Sequence, residues 1–251
     1  MDITVVIPTY NRYTLLYRAL TSLYAQTYLP KEIIVVDDGS TDETSQIQKD
    51  FPNIIYIYQE NRGVSSARNV GIKKTSSEWI AFLDSDDEWH KEKLQKQVEY
   101  HQKNTNILMS YTGEVWIRNG VHVKIPKKYR KIGKDVFLEN LSYCNIAPSS
   151  VLINTKIFNE IGLFDETLQV CEDYDMWLRI AIKYQIALID EKLINKYAGH
   201  DQQLGFTKNL ELFRMQALKK IITLCKDKEK KSFLEEELAA KLFNKMKVKK
   251  R

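Results

Sequence analysis

Four polar segments of this chain each follow an apolar run, and each carries side chains able to bind ligands or move protons. They are Pro8-Thr9-Tyr10-Asn11-Arg12, Asp37-Asp38-Gly39-Ser40-Thr41-Asp42, the stretch from Asn61-Arg62-Gly63 to Ala67-Arg68-Asn69, and Asp84-Ser85-Asp86-Asp87. Taken singly, each reads as ordinary turn chemistry, with Ser40, Thr41 or Asp42 capping a following helix. The acidic quartet says more. Carboxylates crowded at a strand end repel one another, and a divalent cation relieves that repulsion. Hard oxygen ligands suit Mn2+ or Mg2+, and Mg2+ commonly combines one or two carboxylates with substrate phosphates. A fifth segment, Glu172-Asp173-Tyr174-Asp175-Met176-Trp177-Leu178-Arg179, opens a helical pattern with three acids. Acids favour the positive end of a helix, and Asp175 with Arg179 has ion-pair spacing.

The elements that must position these groups are legible from periodicity. Ile3–Ile7, Glu32–Val36, Asn53–Tyr58 and Trp79–Leu83 read as apolar strands. Arg12–Gln26, Thr41–Phe51 and Val64–Lys74 read as the helices between them. Apolar strands alternating with helices imply an α/β fold, a mostly parallel sheet with helices on both faces. In such a sheet, ligands bind at the carboxyl ends of the strands, where the polar segments lie. Further on, His90–Lys103 reads as a polar helix and Ile107–Val123 as an antiparallel pair turning at Asn119-Gly120. Ser149–Ile153 and Ala187–Asp190 read as strands, Glu172–Tyr184 as a helix, and Leu204 onward as largely helical.

The 251 residues are 43% hydrophobic and 28% charged, an ordinary globular balance. The net charge of +5 sits entirely in residues 226–251, so a nucleic-acid-coating surface is not expected. Three cysteines, Cys144, Cys171 and Cys225, without a CxxC spacing, read as reduced thiols. The amino terminus lacks a signal-peptide pattern, and no apolar run is long enough to span a bilayer. A cytoplasmic protein, peripheral at most to the inner face of a membrane, is the expectation.

In their order and spacing, the five segments resemble the family 2 glycosyltransferases of GT-A fold, over about residues 3–206. The resemblance implies inverting transfer of a sugar from a nucleotide diphosphate-sugar, a UDP-sugar by preference, to an acceptor hydroxyl. It also implies bacterial surface polysaccharide or lipid-linked glycan synthesis. It assigns Pro8, Thr9, Tyr10, Arg12, Asp38, Gly63, Arg68, Asp84 and Ser85 to the nucleotide-sugar, Asp86 and His200 to the metal or diphosphate, and Asp173 to the general base. On the acceptor side it points to Glu172, Trp89 and Ser149. Trp116 is a second candidate sugar-stacking aromatic, with core packing its plainer reading.

Asp38 could accept from a ring N–H of a base and Tyr10 could stack on it. Attack from the face opposite the leaving group inverts configuration without a covalent intermediate. The expected organisation is a GT-A domain over 1–203, divided into a nucleotide-sugar part (1–104) and an acceptor part (105–203), followed by a helical extension over 204–251. The basic loop 124–134 and the tail, with Phe233, Leu234, Leu238, Leu242, Phe243 and Met246 among lysines, are surfaces for an anionic acceptor or membrane, or else a solvated face and a packing stripe. A sugar-nucleotidyltransferase would want a glycine-rich loop where Pro8-Thr9-Tyr10 stands. A non-catalytic nucleotide-sugar-binding subunit would not need both Asp86 and Asp173.

Overall fold

The computed structural model of the protein describes residues 1–198 and 209–249. Its first half is β1 (Ile3–Thr9), α1 (Tyr13–Tyr24), β2 (Glu32–Asp37), α2 (Ile47–Asp50), β3 (Ile55–Tyr58), α3 (Val64–Lys74), β4 (Trp79–Phe82), β5 (Glu88–Trp89) and α4 (Lys93–Lys103). The second half is β6 (Met109–Arg118), β7 (Val121–Val123), α5 (Val136–Leu141), β8 (Leu152–Asn154), α6 (Lys156–Ile161), α7 (Glu172–Lys183), β9 (Ala187–Ala198), α8 (Leu210–Leu224) and α9 (Lys228–Lys249).

One sheet runs through the molecule in the order β3-β2-β1-β4-β8-β6-β9-β5, with β7 paired to β6. The strands β3, β2, β1 and β4 are parallel neighbours, as the apolar runs separated by helices require. β8 enters antiparallel to β4 and β6, and β9 then runs parallel to β6. Alternation along β1 feeds both faces. Ile3, Val5 and Ile7 pack with Leu16, Leu20 and Leu23 of α1 and Leu94 and Val98 of α4. Val6 points the other way, into the core formed by α5, α6, α7 and α8. Gly71 of α3 lies so close to β1 that a Cβ there would come within 2.3 Å of Val6, so the helix crosses the strand only as glycine.

The expected helix over 41–51 is a tight turn at 43–46 followed by α2. The expected strand from Ser149 begins instead as a Pro148–Ser150 turn, with proline at its first position, before β8. The late strand is three times as long as Ala187–Asp190 suggested, and β5, α5 and α6 carried too short a pattern to be read. The helical extension is not separate from the core: Ala217, Leu218, Ile221 and Leu234 are buried in the same cluster as Trp177 of α7. Among the described residues, no helix is long and apolar enough to cross a membrane.

The polar helix α4 buries its polar face. Lys93, Gln97 and His101 recur every four residues and are almost inaccessible. Lys93 Nζ lies 3.9 Å above the Trp89 ring and donates to the Val151 carbonyl, and burial holds its pKa well below the usual lysine value. Gln97 donates to Ser110 Oγ and the Ser150 carbonyl. His101 lies between the Ile107 carbonyl (3.0 Å) and Ser110 Oγ (2.9 Å), beside the Trp79 ring. Burial lowers the His101 pKa to about 4, only partly opposed by the backbone hydrogen bond.

A histidine neutral in the folded state and protonated near 6.5 when unfolded stabilises above pH 6.5 and loses that contribution as pH falls towards about 4. Between pH 7.5 and 4.5 the loss is about 2–3 kcal/mol. Urea unfolding of wild type and His101→Gln at both pH values should show a drop in stability smaller by that amount in the variant. Equal drops would remove His101 as the source.

Candidate active site

The carboxyl ends of β1, β2 and β4 converge, and their loops hold one another in place. Asn11 adopts φ 51° after β1. Its backbone N–H donates to Ser40 Oγ (2.8 Å), and its side-chain oxygen accepts from Thr41 N (2.7 Å). Asp37 is buried and accepts from Ser40 N and from the Tyr56 hydroxyl. Gly39, at φ +88°, passes against Asn61, where a Cβ would come within 2.8 Å of the Asn61 nitrogen. Asp38 accepts from Gln59 Nε2 (2.6 Å), Arg62 N (2.9 Å) and Gly63 N (2.8 Å). Three of the roughly four acceptor positions of that carboxylate are thus taken, so it organises loop 59–63 and keeps about one position for a ligand.

Pro8, Arg12, Arg68, Asp84, Ser85, Asp86, Glu172 and Asp173 line one cavity of about 360 Å³. Thr9, Tyr10, Asp38 and Gly63 lie outside this lining. Thr9 is buried with its hydroxyl unpartnered among the described residues, and Tyr10 is 45% exposed. His200 lies outside the described residues. Trp89 and Ser149 correct the expectation for the acceptor side. Trp89 is buried and its indole donates to the Ser149 carbonyl, so its ring cannot reach a sugar. Ser149 is fully buried, accepts from Asp84 N and donates to Asp87, fixing the acidic turn from behind.

Arg68 of α3 occupies the centre. It is 3% exposed, and its two terminal nitrogens donate to Asp84 Oδ1 (2.8 Å) and Glu172 Oε1 (2.6 Å). Burial opposes its charge, but the two carboxylates outweigh that and raise its pKa. Burial, and then the neighbouring Asp173, push the Glu172 carboxyl up to about 7 against the pull of Arg68. Asp87 is held well above the usual carboxylate range by burial and by Asp86 and Asp84. Asp86 meets Arg12 at 3.2 Å, and its carbonyl accepts from Arg18. Asp173 stands in the first turn of α7, after Cys171 at φ 64°, and accepts from Tyr174 N. Asp175 is fully buried and pairs with Arg179, as its spacing predicts, and with Lys220 at 2.6 Å.

Further residues that sequence reasoning passed over or placed elsewhere also line the cavity, among them Glu114, Trp116, Lys196 and Arg214. In the β6–β9 register Trp116 lies beside Lys196. Trp116 is therefore a wall of the cavity, not the core residue its plainer reading implied. Lys196 would have been found had β9 been extended beyond Asp190. Burial opposes the Lys196 charge, yet Glu114, Asp87, Asp173 and Asp84 together raise its pKa and keep it an ammonium.

Among the described residues no group of three or more His, Cys, Asp or Glu side chains is arranged to hold a metal alone. Asp84 and Asp86 do fit a cation that takes one or two carboxylates and completes its shell with phosphate oxygens.

Because Arg68 is buried between the carboxylates of Glu172 and Asp84, Arg68→Met should cost about 3–5 kcal/mol in denaturant unfolding. Adding Glu172→Gln should return part of that loss. Strictly additive losses would show that the two groups are not coupled.

Residues 4–162 match the family described as Glycosyl transferase family 2. An uncharacterised glycosyltransferase of Rickettsia typhi is 34% identical over 223 residues, covering 86% of this chain and 70% of that protein. Other Rickettsia relatives are longer, and the chain spans as little as 28% of one from Rickettsia bellii. An Escherichia coli UDP-Glc:alpha-D-GlcNAc-diphosphoundecaprenol beta-1,3-glucosyltransferase is 29% identical over 88% of this chain and 86% of its own. The fold matches residues 1–349 of Staphylococcus aureus TarS, crystallised with UDP-GlcNAc, at a TM-score of 0.78 and 22% identity, over 96% of this chain and 72% of that one. The chain belongs to glycosyl transferase family 2 and has its GT-A fold.

Proposed function

We propose that the protein is an inverting, metal-assisted glycosyltransferase that moves a sugar from a UDP-sugar to a hydroxyl of a saccharide or lipid-linked saccharide in bacterial surface glycan synthesis. The observation that carries this reading is the presence of Asp173 in the same cavity as the Asp84-Ser85-Asp86 turn. A proton acceptor and a diphosphate-binding edge then face one reacting centre. The E. coli relative, which uses UDP-Glc and a diphosphoundecaprenol-linked acceptor, supports the donor and acceptor classes.

In this reading the nucleotide lies across the ends of β1 and β2, with Tyr10 against the base and the Thr9 hydroxyl and the remaining acceptor position of Asp38 offered to its polar groups. Arg12, Ser85 and Asp86 face the diphosphate. A divalent cation held by Asp86, with Asp84 beside it, would offset the charge that develops on the leaving diphosphate. Arg68 holds Asp84 and Glu172 in fixed orientation, so the carboxylates need no rearrangement as the charge shifts. Asp173 accepts the proton of the attacking hydroxyl, a contribution of about 10²–10⁴-fold. Asp173 is at the amino end of α7.

Asp173→Asn should keep UDP binding by calorimetry and lose transfer by about 10²-fold or more; transfer at the wild-type rate would remove Asp173 as the base. Asp86→Ala should abolish the gain in UDP affinity that Mn2+ confers on wild type. Wild-type binding that is indifferent to Mn2+ would sink the metal site.

A further inference from the structure

None of the residues assigned above to the donor lies on the wall of the cavity formed by β6, β9 and α8. Trp116 faces it beside Lys196, and the Tyr129 ring packs against Trp116 at 5.4 Å. Behind them Tyr143 meets Tyr129 edge-on, with ring centroids 5.9 Å apart. Three cations surround the Tyr143 ring: Lys128 at 4.7 Å, Arg214 at 5.6 Å and Lys241 at 5.9 Å. An aromatic face next to Asp173 thus leads directly to a basic cluster.

Arg214 is the member of that cluster that lines the cavity. Its side chain is 9% exposed, and it pairs with Glu211 through one terminal nitrogen. Its buried Nε has no hydrogen-bond partner among the described residues. Glu211 is also shared with Lys241 (2.9 Å), which in turn meets Glu237 at 3.1 Å. A guanidinium that lines the cavity and keeps one N–H without a partner among the described residues suits an anionic acceptor atom. The guanidinium fork matches phosphate oxygens in particular. A neutral sugar would leave that edge unmatched, while an aromatic wall suits the apolar face of a pyranose.

We propose that this wall is the acceptor subsite and that it selects a sugar carrying a phosphate or diphosphate at its anomeric carbon. The ring lies against Trp116 and Tyr129, and the phosphate meets Arg214. Glu114 and Lys196 are left to meet the hydroxyls. The assignment rests on the glycosyltransferase reading above and makes Arg214 its specificity-determining residue.

Calorimetry on UDP-saturated protein tests it with glucose, galactose and N-acetylglucosamine 1-phosphates, the corresponding methyl glycosides, and a phenoxyundecyl diphosphate-linked N-acetylglucosamine. At least one phosphorylated sugar should bind about ten- to a hundredfold more tightly than its methyl glycoside. Arg214→Gln should erase that preference at unchanged UDP affinity, whereas Trp116→Ala should weaken both partners alike. Tighter binding of the alkyl diphosphate than of the 1-phosphate identifies a lipid-linked source, and equal binding a soluble sugar phosphate; either supports the subsite. Equal binding of phosphorylated and methyl sugars, a preference that survives in Arg214→Gln, or no binding by any probe overturns it. A wild-type protein that fails to bind UDP overturns the glycosyltransferase reading instead, and this assignment with it.

Discussion

The site is organised around one buried cation. Arg68 bridges Asp84, at the end of the parallel sheet, and Glu172, at the start of α7. These belong to the two halves of the molecule, so a single guanidinium fixes the distance between the end of β4 and the first turn of α7. Its neighbour Asn69 repeats the connection one residue on, exchanging hydrogen bonds of 2.9 Å with the backbone of Phe164 in both directions. Such a bridge is costly to build, because Arg68 and Glu172 leave water almost completely and Asp84 in large part. It contributes geometry more than stability. The same arrangement explains why Glu172 is poised near neutrality while Arg68 stays charged: burial acts against both, but only the arginine has two opposite charges to offset it.

The sheet gives the cavity two dissimilar walls. The parallel strands β1, β2 and β4 end in loops rich in backbone N–H groups and carboxylates, which suit a polar, charged nucleotide. On the other side β6 and β9 present the flat surfaces of whole strands, so tryptophan, glutamate and lysine stand side by side, and α8 adds an arginine. Loops can wrap a ligand of fixed chemistry, whereas strand faces vary by single substitutions. In the proposed reading, donor and acceptor would thereby meet structurally different kinds of surface.

Most of the donor half was legible because its strands are apolar, its helices periodic and its loops dense in turn-forming residues. The helix Val64–Lys74 was read to the residue. Asp84, Asp86, Arg68 and Asp173 were nominated from motif order, and the fold gathers them into one cavity. The acceptor half was harder for physical reasons. Trp89 and Trp116 are the same residue type in similar polar contexts, and only tertiary packing decides that one is core and the other wall. Lys196 sits in a strand of mixed hydropathy, where alternation fades. From sequence α4 reads only as a polar helix, yet Lys93, Gln97 and His101 find their partners inside the protein. Hydropathy cannot detect a buried polar seam because the partners, Ser110 of β6 and Ser150 of the turn before β8, come from distant parts of the sequence.

The tail was first distinguished by its charge, and the fold changes what that charge means. Lys230 of α9 donates to the Ala181 and Ile182 carbonyls at 2.9 and 2.8 Å, where α7 runs out of internal hydrogen bonds. The helix that carries Asp173 at one end is therefore pinned at the other by a residue 57 positions further along the sequence. Anything that lifts α9 from the body, whether proteolysis, a partner or a surface that prefers its exposed Leu242, Phe243 and Met246, would loosen the helix on which Asp173 is mounted.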